Sequence, residues 1–162
     1  MMKITYYTVW ILALSVLQST FLDYIKIMGI KPNLFLIFVV CAAMISGKAA
    51  EGAVIGFILG FLLDFMTGKT LGINMLLLMY VGLAVGLAFK MFLTGKYFAI
   101  IAAVFITSIA YCFLYYTMSF MMWGQGDFVY ALINVLLPES LYNTAICVPV
   151  YMLAKKTYFH AA

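Results

Sequence analysis

The chain has 162 residues, of which 68% are hydrophobic and 9% charged, with a net charge of +4 and a mean hydropathy of +1.18. A water-soluble domain of this size needs far more polar surface, so the composition is that of an integral membrane protein with almost nothing left for a soluble domain. The charge comes from nine lysines and no arginine, spread thinly, which excludes a nucleic-acid patch and suits orientation signals and headgroup contact.

The apolar runs predict an all-α bundle of about six transmembrane helices in a single domain, 1–162. Helix 1 spans about 5–24, close to the 20 residues a crossing needs. Lys3 precedes its apolar run and no small-residue cleavage pattern follows, so it reads as a retained helix and not a signal peptide. Gln18 places an amide in its outer half. Gly29 and Pro32 break the chain, and Pro32 suits the first turn of the next helix, where its missing N–H costs nothing. Helix 2, about 33–46 from Asn33, is short: its length of about 21 Å falls below a hydrocarbon layer of about 30 Å. It is either a partial span sheltered by neighbours or a cause of local bilayer thinning.

Helix 3, about 49–66, carries Gly52, Gly56, Gly60 and Asp64 at every fourth position. Residues four apart share a helix face, so these form a groove without side chains, flanked by apolar residues. Such a groove accepts another helix backbone closely. A carboxylate at membrane depth costs roughly 2.5 to 3.5 kcal/mol, so Asp64 is expected to meet a polar partner or the bundle interior. Gly68 and Gly72 lie beyond the span and shape the following turn. Helix 4, about 71–92, repeats the spacing with Gly82 and Gly86. The two glycine faces therefore either meet each other or leave the helix 3 groove for a partner.

Helix 5, about 97–123, is long and aromatic and ends in an interfacial turn. Helix 6, about 128–155, is interrupted by Pro138 and Pro149, which free the carbonyls of Asn134 and Ala145. Glu139, Tyr142 and Asn143 follow Pro138 near mid-span. They form either a polar face for a ligand or partner helix, or a network that satisfies the freed carbonyl. Six crossings put both termini on one side. With that side cytoplasmic, Lys3, Lys48, Lys90, Lys96, Lys155 and Lys156 are inside against Lys26, Lys31 and Lys69 outside, as the positive-inside rule favours.

Little in the chain points to catalysis, a cofactor or a metal. Cys41, Cys112 and Cys147 are far apart and inside predicted spans, and the single His160 is in the tail. Gly124-Gln125-Gly126-Asp127 resembles the GxGD motif of intramembrane aspartyl proteases, which need two aspartates sharing a proton. Asp127 instead falls in a turn, and its candidate mates Asp23 and Asp64 sit near helix ends.

Several blocks carry a family resemblance. They are Pro32-Asn33 opening helix 2, Gly56-Phe57-Ile58-Leu59-Gly60-Phe61-Leu62-Leu63-Asp64 on helix 3, Leu71-Gly72 opening helix 4, then Gly82, Gly86, Pro138 and Asn143. Together they resemble the MreD family of bacterial rod shape-determining membrane proteins, over essentially the whole chain. Glu139 has no counterpart in that pattern. The resemblance implies a non-catalytic adaptor of lateral peptidoglycan synthesis in the cytoplasmic membrane. It also implies association with the membrane helix of MreC and, through it, with MreB, RodA and a class B penicillin-binding protein. On this reading Gly52, Gly56, Gly60 and Asp64 receive the MreC helix. The family is similar in architecture to the substrate-binding components of energy-coupling-factor vitamin transporters, which makes a small-molecule-binding subunit the alternative. Those components dock through an alanine-xxx-alanine face on helix 1, where this chain has Ala13 followed by Leu17.

Overall fold

The computed structural model describes residues 2–21, 29–68, 72–88, 97–123, 130 and 132–161. Regular structure among them is helical. Helix α1 is Met2–Val16 and continues as a π-helical turn, Leu17–Phe21; α2 is Leu34–Ser46, α3 Ala49–Thr67, α4 Ile73–Ala88 and α5 Tyr97–Trp123. A second π-helical turn, Leu132–Leu136, leads into α6, Leu137–Ala161. The expected ends of helices 1 and 4, the start of helix 6 and the GxGD segment fall wholly or partly outside the described residues. By length and composition, Ala49–Thr67 and Tyr97–Met122 can cross a membrane, and Leu34–Ser46 and Ile73–Ala88 are shorter apolar helices.

Helix α2 is the centre of the bundle. Every residue from Leu34 to Ala43 is buried, as a helix apolar on all sides must be. Its 13 residues cover only about 20 Å, and the neighbouring helices bury its first ten. Gly47 ends it with φ +63°, its N–H donating to the Ala43 carbonyl. This left-handed cap suits glycine and lets α3 begin within two residues.

Among the described elements, helices α3 and α4 share the most extensive contact. Their buried residues are Gly52, Ile55, Gly56, Leu59, Gly60, Leu63 and Asp64 on α3, and Ile73, Asn74, Leu77, Leu78, Gly82, Val85 and Gly86 on α4. A methyl built on Gly52 would lie 2.5 Å from the Gly82 carbonyl oxygen and 2.8 Å from the Ala43 Cβ. On Gly56 it would lie 2.6 Å from the Leu78 carbonyl carbon, and on Gly60 2.5 Å from the Met75 Cα. From the other side, Gly82 meets the Gly52 backbone and Gly86 meets Ala49. The two helices thus touch main chain to main chain, a closeness available only without side chains.

This corrects one expectation. The face of Gly52, Gly56, Gly60 and Asp64 is not an open groove for another protein's helix, because α4 of the same chain fills it. Helix-on-helix dispersion gains most where backbones approach, and the nearest complementary glycine face is the one only a short turn away.

Candidate functional site: capped helix starts around a polar cavity

Two helices begin inside the bundle, and each leaves amides without an intrahelical acceptor. Buried amides of this kind need protein acceptors. At α4 the acceptor is Asp64, which reaches across from α3. Its Oδ2 accepts from the Gly72 N–H at 2.8 Å and the Met75 N–H at 3.1 Å. Its Oδ1 accepts from the Asn74 N–H at 3.1 Å and the Asn74 Nδ2 at 2.8 Å. The side chain is fully buried. Four donors and the positive end of the α4 dipole compensate its charge. Gly72, at φ +109°, takes a backbone conformation that aims its N–H at the carboxylate and that other residues rarely adopt. The Tyr111 hydroxyl of α5 donates to the Asn74 Oδ1, so α3, α4 and α5 are tied by one chain of polar contacts.

At α2 three amides share the work. The Asn33 side chain accepts from the Leu36 N–H at 3.1 Å, the ordinary N-cap bond. The Gln18 Oε1 accepts from the Leu34 N–H at 3.0 Å. The Asn143 Oδ1 accepts from the Asn33 N–H at 2.7 Å, while its Nδ2 donates to the Ser108 Oγ at 3.1 Å. Side chains from the π-helical turn after α1 and from α6 therefore finish the start of α2. Among the described residues no buried side-chain polar atom lacks a partner.

Around these starts lies a cavity of about 520 Å³. Its lining includes Gln18, Lys31, Asn74, Tyr111, Tyr116 and Glu139, with Pro32 and Asn33 at the α2 end. It falls where the end of α1, the starts of α2, α4 and α6, and the second half of α5 come together. Both π-helical turns border it, through Gln18 in one and Asn134 and Val135 in the other. The second precedes Pro138, which cannot donate to the Asn134 carbonyl, so widened winding is a natural accommodation.

The opposite end of the bundle gathers the chain's beginning and end. The Tyr6 hydroxyl donates to the Ala154 carbonyl at 2.9 Å, and the Trp10 Nε1 to the Thr157 Oγ1 at 3.0 Å. The Tyr7 hydroxyl donates to the Glu51 Oε2 at 3.2 Å, and Lys48 pairs with Glu51 at 3.2 Å.

A family model described as rod shape-determining protein MreD matches residues 1–159. The chain belongs to the MreD family. Its role in rod-shape determination and its membrane residence follow from that membership, and the apolar helices agree with it. No curated protein and no solved structure matches the chain.

In this MreD-family chain the sequence-derived residues divide into three groups. Gly52, Gly56, Gly60, Gly82 and Gly86 join α3 to α4. Asp64, Gly72, Asn33 and Asn143 build the two helix starts. Pro32, Asn33 and Glu139 line the cavity. Tyr142 is partly buried, and neither it nor Asn143 is among the residues that line the cavity. Three residues after Glu139 and one before Asn143, it is turned about 100° from the latter around the helix. Pro138 precedes the cavity wall without lining it.

Residues missed from sequence are Ser108, Tyr111, Cys112, Tyr115 and Tyr116. Their spacing on α5 follows positions i, i+3, i+4, i+7 and i+8, the pattern of one helix face. A polar and phenolic stripe at that period on an otherwise apolar helix was the available signal.

Proposed function

We propose that this chain is a non-catalytic scaffold of the machinery that builds lateral peptidoglycan in rod-shaped bacteria. It crosses the cytoplasmic membrane six times with both termini inside, and it binds the membrane helix of MreC. Through MreC it connects indirectly to MreB, RodA and a class B penicillin-binding protein. The observation that carries this reading is the family match over residues 1–159. The interior supports it: Asp64, fully buried, spends its carboxylate on capping α4, a structural duty and not a proton-transfer one. Since the glycine face is used internally, MreC docks on the lipid-facing exterior. Phe57, Phe61 and Phe65 on α3 and Tyr80 and Leu87 on α4 are exposed there.

Affinity purification of the tagged full chain from native membranes tests this. Recovery of MreC is expected, and its absence from the eluate overturns the scaffold reading.

The alternative, a small-molecule-binding component of an energy-coupling-factor-type transporter, has the cavity in its favour. Recovery of ATPase subunits in place of MreC would establish it.

A further inference from the structure

Among the described residues that line the cavity, Glu139 is the carboxylate. Asp64 is consumed by four hydrogen bonds, and Gln18, Asn33, Asn74 and Asn143 are each engaged at a helix start. Glu139 differs. It lies in the first turn of α6 and lines the cavity, and among the described residues no ion pair reaches it. The group facing it is the Cys112 thiol, a weak donor. Lys31 lines the same cavity.

The wall beside Glu139 is aromatic. Tyr111 and, one turn further along α5, Tyr115 and Tyr116 line the cavity. The Tyr111 and Tyr115 rings stack with centroids 6.0 Å apart, and Tyr115 meets Tyr116 edge-on at 5.6 Å. Electron-rich ring faces beside a carboxylate attract cations, organic ammonium groups among them. A carboxylate held at membrane depth gains from such a counter-ion. The volume of about 520 Å³ lies within the range of small-molecule sites, roughly 300–1,000 Å³.

We propose that this cavity binds a ligand through an ammonium group, with Glu139 as its counter-ion and Tyr111, Tyr115 and Tyr116 as its aromatic wall. The same chemistry is carried by lipid headgroups and by free amines. The site stands apart from the choice of protein partner, since a failed MreC recovery leaves it unaffected.

The test uses the purified full chain in detergent, wild type, Glu139→Gln and Tyr116→Leu. The probes are phosphatidylethanolamine and phosphatidylglycerol by native mass spectrometry, and free ethanolamine by intrinsic fluorescence. Phosphatidylethanolamine binding in preference to phosphatidylglycerol identifies a lipid headgroup as the source, and binding of free ethanolamine identifies a soluble amine. In either case Glu139→Gln is expected to weaken binding about ten-fold or more. Should that variant not fold, Tyr116→Leu is expected to weaken it several-fold. Failure of both ammonium probes to bind in preference to phosphatidylglycerol overturns the proposal. So does binding undiminished by Glu139→Gln, or by Tyr116→Leu where it must decide.

Discussion

A helix that starts inside a packed bundle has buried amides that need protein acceptors, and here one aspartate and a few amide side chains answer that need. The Asp64 carboxylate accepts from three backbone N–H groups of the α4 start. Each left unsatisfied costs roughly 1–3 kcal/mol, so Asp64→Leu should destabilise the fold by at least about 3 kcal/mol. Asp64→Asn keeps one acceptor oxygen and should lose less. Thermal unfolding in detergent measures both, and a leucine variant melting like the wild type would contradict the capping role. Asn143 serves α2 from the far end of the sequence. Its replacement by leucine strands the Asn33 N–H and should cost about 1–3 kcal/mol by the same measurement. Asp64 and Asn143 stood out in the sequence as polar residues in apolar surroundings. Their partners did not, because a contact spanning 110 positions, as between Asn33 and Asn143, leaves no mark in local spacing.

Helices α3 and α4 behave as one unit. The four-residue glycine repeats were legible on both, and so was the possibility that they meet. Which of two surfaces a smooth face prefers depends on what the turn between the helices brings close, and periodicity is silent on that. The consequence is that a groove substitution reports on folding and not on partner binding. Gly56→Ala should destabilise by about 1–3 kcal/mol or more, since the added methyl meets the Leu78 main chain, which cannot rotate away. Phe57→Ala, one residue on and facing outward, should stay within about 0.5 kcal/mol. Equal melting of the two variants would contradict a main-chain contact at Gly56. The α5 stripe was also present as a pattern, but masked by the helix's general aromatic richness. The π-helical turns were not legible, because one inserted residue per turn does not disturb an apolar run.

At the scale of the whole molecule, the six apolar runs and their short connections predicted a helical membrane bundle, and its interior is organised by end. One end gathers the chain's two extremities, Tyr6 against Ala154 and Trp10 against Thr157, and the other gathers the capped starts and the cavity. The six alternating crossings proposed above would account for that sorting. The three native cysteines are buried, so an introduced cysteine gives a clean labelling signal. In intact cells an impermeant thiol reagent should label Met121→Cys and spare Lys156→Cys. Labelling of Lys156→Cys would invert the proposed topology.

The scaffold reading depends on MreC meeting the exterior of a bundle whose smooth face is already occupied. Photo-crosslinking in cells measures this directly, with a benzophenone amino acid placed in turn at Phe57, Phe61, Tyr80, Phe98, Ile106 and Leu153, all exposed. Adducts with MreC from adjoining positions on one exterior face are the expected result. An inserted, stable protein that gives no MreC adduct from any of them would contradict the account.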